Sequence, residues 1–251
     1  MTQDAARQSG RTSSPTFSPL YRQIKDFMIK SLVEGEWGPG DAIPSEAELA
    51  VRFNVSQGTV RKAIDEMAAE NMLVRRQGKG TFVSTHNDPR NFYRFLRLAP
   101  DPGQPKISHS EPLSCTWGTA SAEAASVLQL KEGDPVVRIE RILRFGEQPV
   151  VFDEIFLVGE LVPGLCMERL LAWERSLYSL FETDYGIRMI RAEERLRAVA
   201  ADERAAGPLG VPVGHPLLLV ERKALTYGDK PVEWRRGMYC TEHHYYLNEL
   251  G

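Results

Sequence analysis

No stretch of this chain approaches the roughly 18 consecutive apolar residues that a membrane-spanning helix needs, so no membrane partner is expected. Residues 1–16 are rich in Ser, Thr, Gln and Arg and lack the apolar centre of a secretory signal, which predicts a disordered tail and a cytoplasmic location. Cysteine is scarce: Cys115, Cys166 and Cys240 are odd in number and far apart, without the CxxC spacing of a zinc or redox site. They are read as reduced, partly buried residues. No phosphate-binding loop and no nucleophile motif occurs, so no cofactor and no catalytic residue is expected. Nor is there an excess of positive charge. A formal net charge of -3 excludes a chain that holds nucleic acid by bulk charge, so DNA binding has to rest on a local basic surface.

What is present is a globular mixture, 42% hydrophobic and 26% charged, over 251 residues, a length that suits two domains. From Pro19 onward Leu20, Ile24, Phe27, Met28, Ser31 and Leu32 recur at three- and four-residue steps, which predicts an amphipathic helix ending near Gly35. Trp37-Gly38-Pro39-Gly40-Asp41 is turn chemistry. Ser45 with Glu48 three residues on forms a capping box and opens a second helix with Leu49, Ala50 and Phe53 inward. After Asn54-Val55, Ser56 caps a third helix whose apolar positions are Val60, Ala63, Ile64 and Met67. Two short helices joined by a tight turn make a helix-turn-helix.

In that motif the first residues of the second helix enter the major groove. Here they are Gln57, Gly58, Thr59, Arg61 and Lys62. Gln can pair with adenine and Arg with guanine through two hydrogen bonds, while a glycine lets the backbone approach and Thr reaches a phosphate or a thymine methyl. Residues 73–77 and 81–83 read as short strands around Gly78-Lys79-Gly80, a wing. Residues 17–84 hold nine Lys or Arg and nine Asp or Glu, but residues 71–84 hold three basic residues and no acid. The positive field is thus expected on the wing and recognition helix, as a groove-facing surface requires. Any one of these residues could be a solvated surface charge; the ordered set carries the reading. The candidate DNA-binding residues are Ser45, Ser56, Gln57, Gly58, Thr59, Arg61, Lys62, Arg76, Gln77, Gly78, Lys79 and Gly80.

This segment resembles the winged helix of GntR-family regulators, on the strength of Ile43-Pro44-Ser45-Glu46-Ala47-Glu48-Leu49-Ala50, Phe53-Asn54-Val55-Ser56, Thr59-Val60-Arg61 and Arg76-Gln77-Gly78-Lys79-Gly80-Thr81-Phe82-Val83. The resemblance implies a double-stranded DNA operator as partner. Ala47 and Gln57 stand where arginines are usual in the family, so its usual operator sequence is not carried over.

Beyond the winged helix (17–84), residues 85–104 read as a linker and 105–251 as a second domain. Phe92, Tyr93, Phe95 and Leu96 are too apolar for a free linker and are expected to pack. The second domain alternates helices (120–130, 176–185, 202–209) with strands (136–145, 149–158, 190–199). It also repeats itself. Gly133-Asp134-Pro135-Val136-Val137-Arg138-Ile139-Glu140-Arg141 parallels Gly214-His215-Pro216-Leu217-Leu218-Leu219-Val220-Glu221-Arg222, and each copy runs on to Pro149-Val150 or Pro231-Val232. Two equivalent helix-hairpin units are implied, forming one mixed, mostly antiparallel sheet with helices against it; the fold class is α+β.

These Gly-x-Pro strands, with Ser176-Leu177-Tyr178 and Arg191-Ala192-Glu193-Glu194, resemble the UTRA effector-binding domain of the HutC subfamily, whose fold is similar to chorismate lyase. The resemblance implies effector contacts at Arg141, Asp153, Ser176, Tyr178, Glu233 and Tyr239. Leu143 replaces the family's second arginine, so a phosphosugar does not follow. An Arg clamp and a helix N-terminus at Ser176 suit a small polar anion. Arg141 and Asp153 could instead be a simple cross-strand ion pair, and Glu140 and Arg222 show that such charges are common on these strands. His243-His244 reads as a surface pair, without the partners of a metal site. The combined reading is a homodimeric regulator on a near-palindromic operator, a repressor released by its effector; the alternative is an enzyme on the lyase-like fold.

Overall fold

The computed structural model describes residues 18–88, 95–105 and 107–248. The expected tail at 1–16 and the packing of Phe92 and Tyr93 lie outside the described residues.

The N-terminal unit consists of α1 (Leu20–Val33), α2 (Glu46–Phe53) and α3 (Gln57–Ala69), followed by β1 (Leu73–Arg76) and β2 (Gly80–Val83). Its helix boundaries follow from local chemistry. Ser45 Oγ accepts from the Glu48 N–H, and the Glu48 carboxylate accepts from the Ser45 N–H at 2.8 Å. Asn54, at φ 52°, ends α2 in the left-handed conformation that asparagine tolerates. Ser56 caps α3 by accepting from the Thr59 N–H. Ile24, Met28, Leu49, Val60, Ile64, Met67 and Val83 form the buried core, each contributing about 1.5–3 kcal/mol of transfer energy.

Phe27 and Leu20 depart from the expected inner face: they are 54% and 51% exposed. One residue is about 100° of helix rotation, and α3 covers only the Ile24-Met28-Leu32 stripe, leaving Phe27 to stack on Phe53 at the surface, ring centroids 6.1 Å apart.

The second unit is one six-stranded sheet made by β4 (Ile107–Thr119), β5 (Pro135–Phe145), β6 (Gln148–Val158), β7 (Arg191–Ala200), β8 (Pro216–Leu225) and β9 (Pro231–Tyr239). The spatial order is β4-β5-β6-β9-β8-β7, and every neighbouring pair is antiparallel. With α4 (Ala122–Leu128) and α7 (Glu203–Leu209) the internal repeat takes physical form. One copy is β4-α4-β5-β6, the other β7-α7-β8-β9, and they meet where β6 pairs with β9. Gly133 and Gly214 hold equivalent turns at φ 93° and 88°, a conformation that favours glycine. The helix α4 packs over Val136, Val158 and Trp234. On the opposite face, α5 (Met167–Leu171) and α6 (Leu177–Tyr185) bury Leu170, Leu177, Leu180 and Phe181 against Val137, Ile139, Ile155 and Leu157, since alternate strand residues point to opposite faces. No helix among the described residues is long and apolar enough to cross a membrane.

Several local expectations are corrected. The strand β4 was not foreseen, because Pro112 and a polar run break the alternating pattern; it is an edge strand with a register shift between Pro112 and Ser114, where a residue without an N–H is tolerated. Within 85–104, read as a linker, Leu98–Pro100 forms β3 and pairs with β10 (His244–Tyr246), and His86 is buried. His244 is therefore not a surface residue: it is 5% exposed and edge-on to Phe145, centroids 4.6 Å apart. Among the cysteines, Cys166 is exposed, Cys115 half-buried and Cys240 buried, all free.

Candidate functional site

Two surfaces concentrate the candidate residues. On the winged helix, Gln57, Gly58, Arg61 and Lys62 are exposed on the first turns of α3, with Thr59 half-buried beside them. Gly58 has a helical backbone, and an added Cβ would meet nothing closer than Ser56 Oγ at 3.9 Å. Packing does not demand a glycine there. The hydroxyls of Ser45 and Ser56 face solvent but are engaged as caps; Ser56 Oγ also lies 2.8 Å from Thr59 Oγ1. In the wing, Gln77, Gly78, Lys79 and Gly80 are exposed, and Gly78 and Gly80 turn at φ 68° and 112°. Arg76 lies over the Phe82 ring at 4.6 Å, and Lys62 Nζ sits 4.0 Å from the centre of the Tyr21 ring. The expected positive field is tempered by Glu46, which pairs with Arg61 at 2.8 Å and Arg75 at 3.2 Å.

The second surface is a cavity of about 300 Å³ between the sheet and α5–α6. Arg141, Ser176 and Tyr178 line it, as do Arg222, Arg235, His109, Ser110 and Trp173. Asp153, Glu233 and Tyr239 do not; all three are buried behind that wall. Strand register explains the arrangement. Arg141 stands directly opposite Asp153 on β6, and Arg222 is flanked by Glu194 on β7 and Arg235 on β9. Arg141 Nε donates to Asp153 Oδ2 at 2.9 Å, and Arg235 pairs with Glu233 at 2.9 Å and with Asp153 at 3.4 Å. Arg222 donates to Glu194 Oε1 at 2.7 Å and to the Phe95 carbonyl. Tyr178 OH donates to Glu233 Oε1 at 2.8 Å. The ion pair between Arg141 and Asp153 and the cavity position of Arg141 therefore coexist.

Burial pulls Arg141 below its ordinary range, opposed by Asp153 and reinforced by Arg235. For Arg235 burial acts in the same direction, but Glu233, Tyr178 and Asp153 outweigh it and the net shift is upward. The phenol of Tyr178 is pushed up to about 12 by burial and by the Glu233 charge. It stays protonated and donates.

Gly237 makes this packing feasible. It sits opposite Asp153, and a Cβ there would lie 2.7 Å from Asp153 Oδ1 and run into the Tyr239 ring.

Sequence reasoning missed Arg235 and counted Arg222 among ordinary strand charges. A signal for Arg222 was present, since the internal repeat aligns it with Arg141. Arg235 had no such marker. A second hollow, of about 330 Å³, lies over β7 and β8, where Lys223 pairs with Glu193 at 2.8 Å and Arg197 with Glu221 at 3.9 Å.

Known proteins agree with this architecture. The family described as bacterial regulatory proteins, gntR family, matches residues 20–83, and the UTRA domain matches residues 104–245. The chain is 30% identical over 227 residues to the HTH-type transcriptional regulator YurK of Bacillus subtilis, covering 89% of this chain and 90% of that one. It is 25% identical over 228 residues to the histidine utilization repressor of Pseudomonas putida, covering 90% of each. Among solved structures, the ligand-binding domain of a GntR-family regulator from Bordetella bronchiseptica is 46% identical, with a TM-score of 0.61 over 63% of this chain and 99% of that chain. PhnF from Mycobacterium smegmatis, 24% identical with a TM-score of 0.50 over 90% of this chain and 96% of that chain, shares the fold. The chain belongs to the GntR family of bacterial regulatory proteins, in the HutC-like group that joins a DNA-binding winged helix-turn-helix to a UTRA domain.

Proposed function

We propose that this transcriptional regulator is a cytoplasmic repressor that leaves its operator when a small anionic metabolite enters the cavity. The observation that carries the reading is the cavity wall: Arg141, Arg222 and Arg235, each at most 7% exposed, together with the first turn of α6. The free N–H groups of a helix's first turn favour an anion, and a guanidinium grips carboxylate or phosphate through paired hydrogen bonds. Asp153 and Glu233 hold the guanidiniums from behind, with Tyr239 buried beside Asp153, while Ser176 and Tyr178 meet the ligand directly. On the DNA side Gln57, Gly58, Thr59, Arg61 and Lys62 read the groove. Ser45, Ser56, Arg76, Gln77, Gly78, Lys79 and Gly80 lie against phosphates. Two copies place two recognition helices on successive major grooves of a near-palindromic operator. The repressor sign is supported by relatives named as repressors, among them that of Pseudomonas putida. A winged helix on the same chain favours regulation over an enzyme on the lyase-like fold.

The test is fluorescence anisotropy on duplex DNA from upstream of the gene, at two salt concentrations, beside a thermal-shift screen of carboxylates and phosphates. Operator-selective, salt-sensitive binding is expected. A metabolite at a hundred times its Kd adds about 2.7 kcal/mol of stability, and the same compound has to release the DNA. Binding no tighter than to random duplex overturns the regulator; a stabilising anion that leaves DNA binding untouched overturns the repressor mechanism.

A further inference from the structure

The buried carboxylate of Glu182 ties the cavity helix to the exit of the wing. Glu182 lies four residues after Tyr178 on α6, hence on the same helical face, and its side chain is 1% exposed. It accepts hydrogen bonds from three successive residues that follow β2. Thr85 Oγ1 donates to it, the His86 N–H reaches both carboxylate oxygens at 3.1 Å, and Asn87 Nδ2 donates at 3.3 Å. Arg188 Nε lies 3.2 Å away on the other side.

Each of these partners leads onward. His86 is buried, its ring edge-on to Tyr178 with centroids 5.5 Å apart, and its Nε2 accepts from the Met189 N–H at 3.2 Å. Arg188 Nη1 donates to Tyr227 OH at 2.5 Å, and Tyr227 with Ile190 packs into the core of the winged helix. Arg175, on the cavity rim, reaches Asn87 Oδ1 at 3.4 Å. One carboxylate thus fixes two separate connections to the DNA-binding domain. A charge held by this many donors cannot be shifted without stranding them, so a movement of α6 is passed on rather than absorbed.

We propose that Glu182 is the positioning residue through which the state of the cavity reaches the winged helix, by clamping residues 85–87 and Arg188 to α6. This rests on the cavity being the effector site. An occupant that turns Tyr178 or draws on the first turn of α6 displaces the carboxylate one turn along. The wing exit and the Tyr227 contact move with it.

Coupling between two sites is reciprocal, so operator DNA alone can serve as the probe. Hydrogen exchange by mass spectrometry is measured on the full chain with and without the operator duplex. In the wild type, DNA binding changes the exchange rate of amides 177–182 by about fivefold or more, the lower end of ordinary couplings. In Glu182→Ala the duplex still binds, but that change is lost. Asp184→Asn, on α6 with Glu182 but paired at the surface with Arg169 of α5, retains it. An undiminished response in Glu182→Ala overturns the clamp and leaves the regulator standing. If the wild type does not select the duplex, the regulator reading fails first and the clamp falls with it. Should Glu182→Ala not fold, Asn87→Ala removes one arm from a half-buried side chain. An unaltered response there overturns the proposal equally.

Discussion

Arg61 Nε donates to Glu46 Oε2 at 2.9 Å, so the guanidinium at the groove-facing end of α3 is held by an acid at the start of α2. Glu46 also pairs with Arg75. On the proposed reading, this acid competes with DNA for Arg61. Arg61→Ala is expected to weaken operator binding by about 1–3 kcal/mol and relax selectivity at one base pair, whereas Lys79→Ala weakens all duplexes alike and lowers the salt slope by about one. Glu46→Gln frees Arg61 and leaves Arg75 with Asp65, 2.7 Å away; it is expected to tighten binding to any duplex and steepen its salt dependence. Anisotropy titrations at several salt concentrations check all three.

Asp153 is shared by Arg141 and Arg235, all buried. Asp153→Ala strands the Arg141 guanidinium, leaves Arg235 with Glu233 alone, and is expected to cost about 3–5 kcal/mol in urea unfolding. The double replacement Asp153→Leu with Arg141→Met costs less than the single one, because an apolar pair leaves a smaller charge imbalance in the interior.

Burial holds the His244 imidazole below its ordinary pKa of 6.5. The unfolded chain therefore binds its proton more readily than the folded one, and stability falls as pH drops through about 6.5. His244→Phe keeps a ring against Phe145 and removes this contribution. Denaturant midpoints at pH 7.5 and 5.5 are expected to differ less in the variant than in the wild type.

Thiol chemistry separates the three cysteines. Burial pushes Cys115 and Cys240 up to about 11, and Cys166 is exposed. A brief iodoacetamide pulse at pH 8 labels Cys166 in the native protein and all three after unfolding, since the thiolate is the reacting species. Intact-mass spectrometry reads the difference. Native labelling of Cys240 would contradict its burial.

The legible parts of the fold are those set by neighbours in the chain. The Ser45 to Glu48 box, the Ser56 cap and the inward positions Val60, Ala63, Ile64 and Met67 need only a few residues of context, and each appears in place. The doubled Gly-x-Pro strands were equally visible, because one backbone turn recurs at Gly133 and Gly214. The edge strand β4 was hidden: a strand with one neighbour needs neither a continuous apolar pattern nor an N–H at every position, so Pro112 could sit within it. Phe27 misled for a related reason. Helical spacing says which residues share a face, and which face is covered depends on where α3 lies.

The cavity was half legible. Arg141, Ser176 and Tyr178 could be named from the sequence and do line it; Arg222 was marked only by its alignment with Arg141 in the repeat, and Arg235 enters only through strand register. By itself the sequence determined the caps, the turns, the helix-turn-helix and the repeated hairpin units, since these depend on backbone angles and hydrogen bonds within a few residues. The tertiary structure alone decided that arginines from β5, β8 and β9 share one cavity wall, that Glu46 restrains Arg61, and that Glu182 grips the wing exit. The Glu182 contact with His86 joins residues 96 positions apart in sequence, and only the order of the strands, the docking of α6 and the packing of α2 on α3 bring these charges within hydrogen-bond distance.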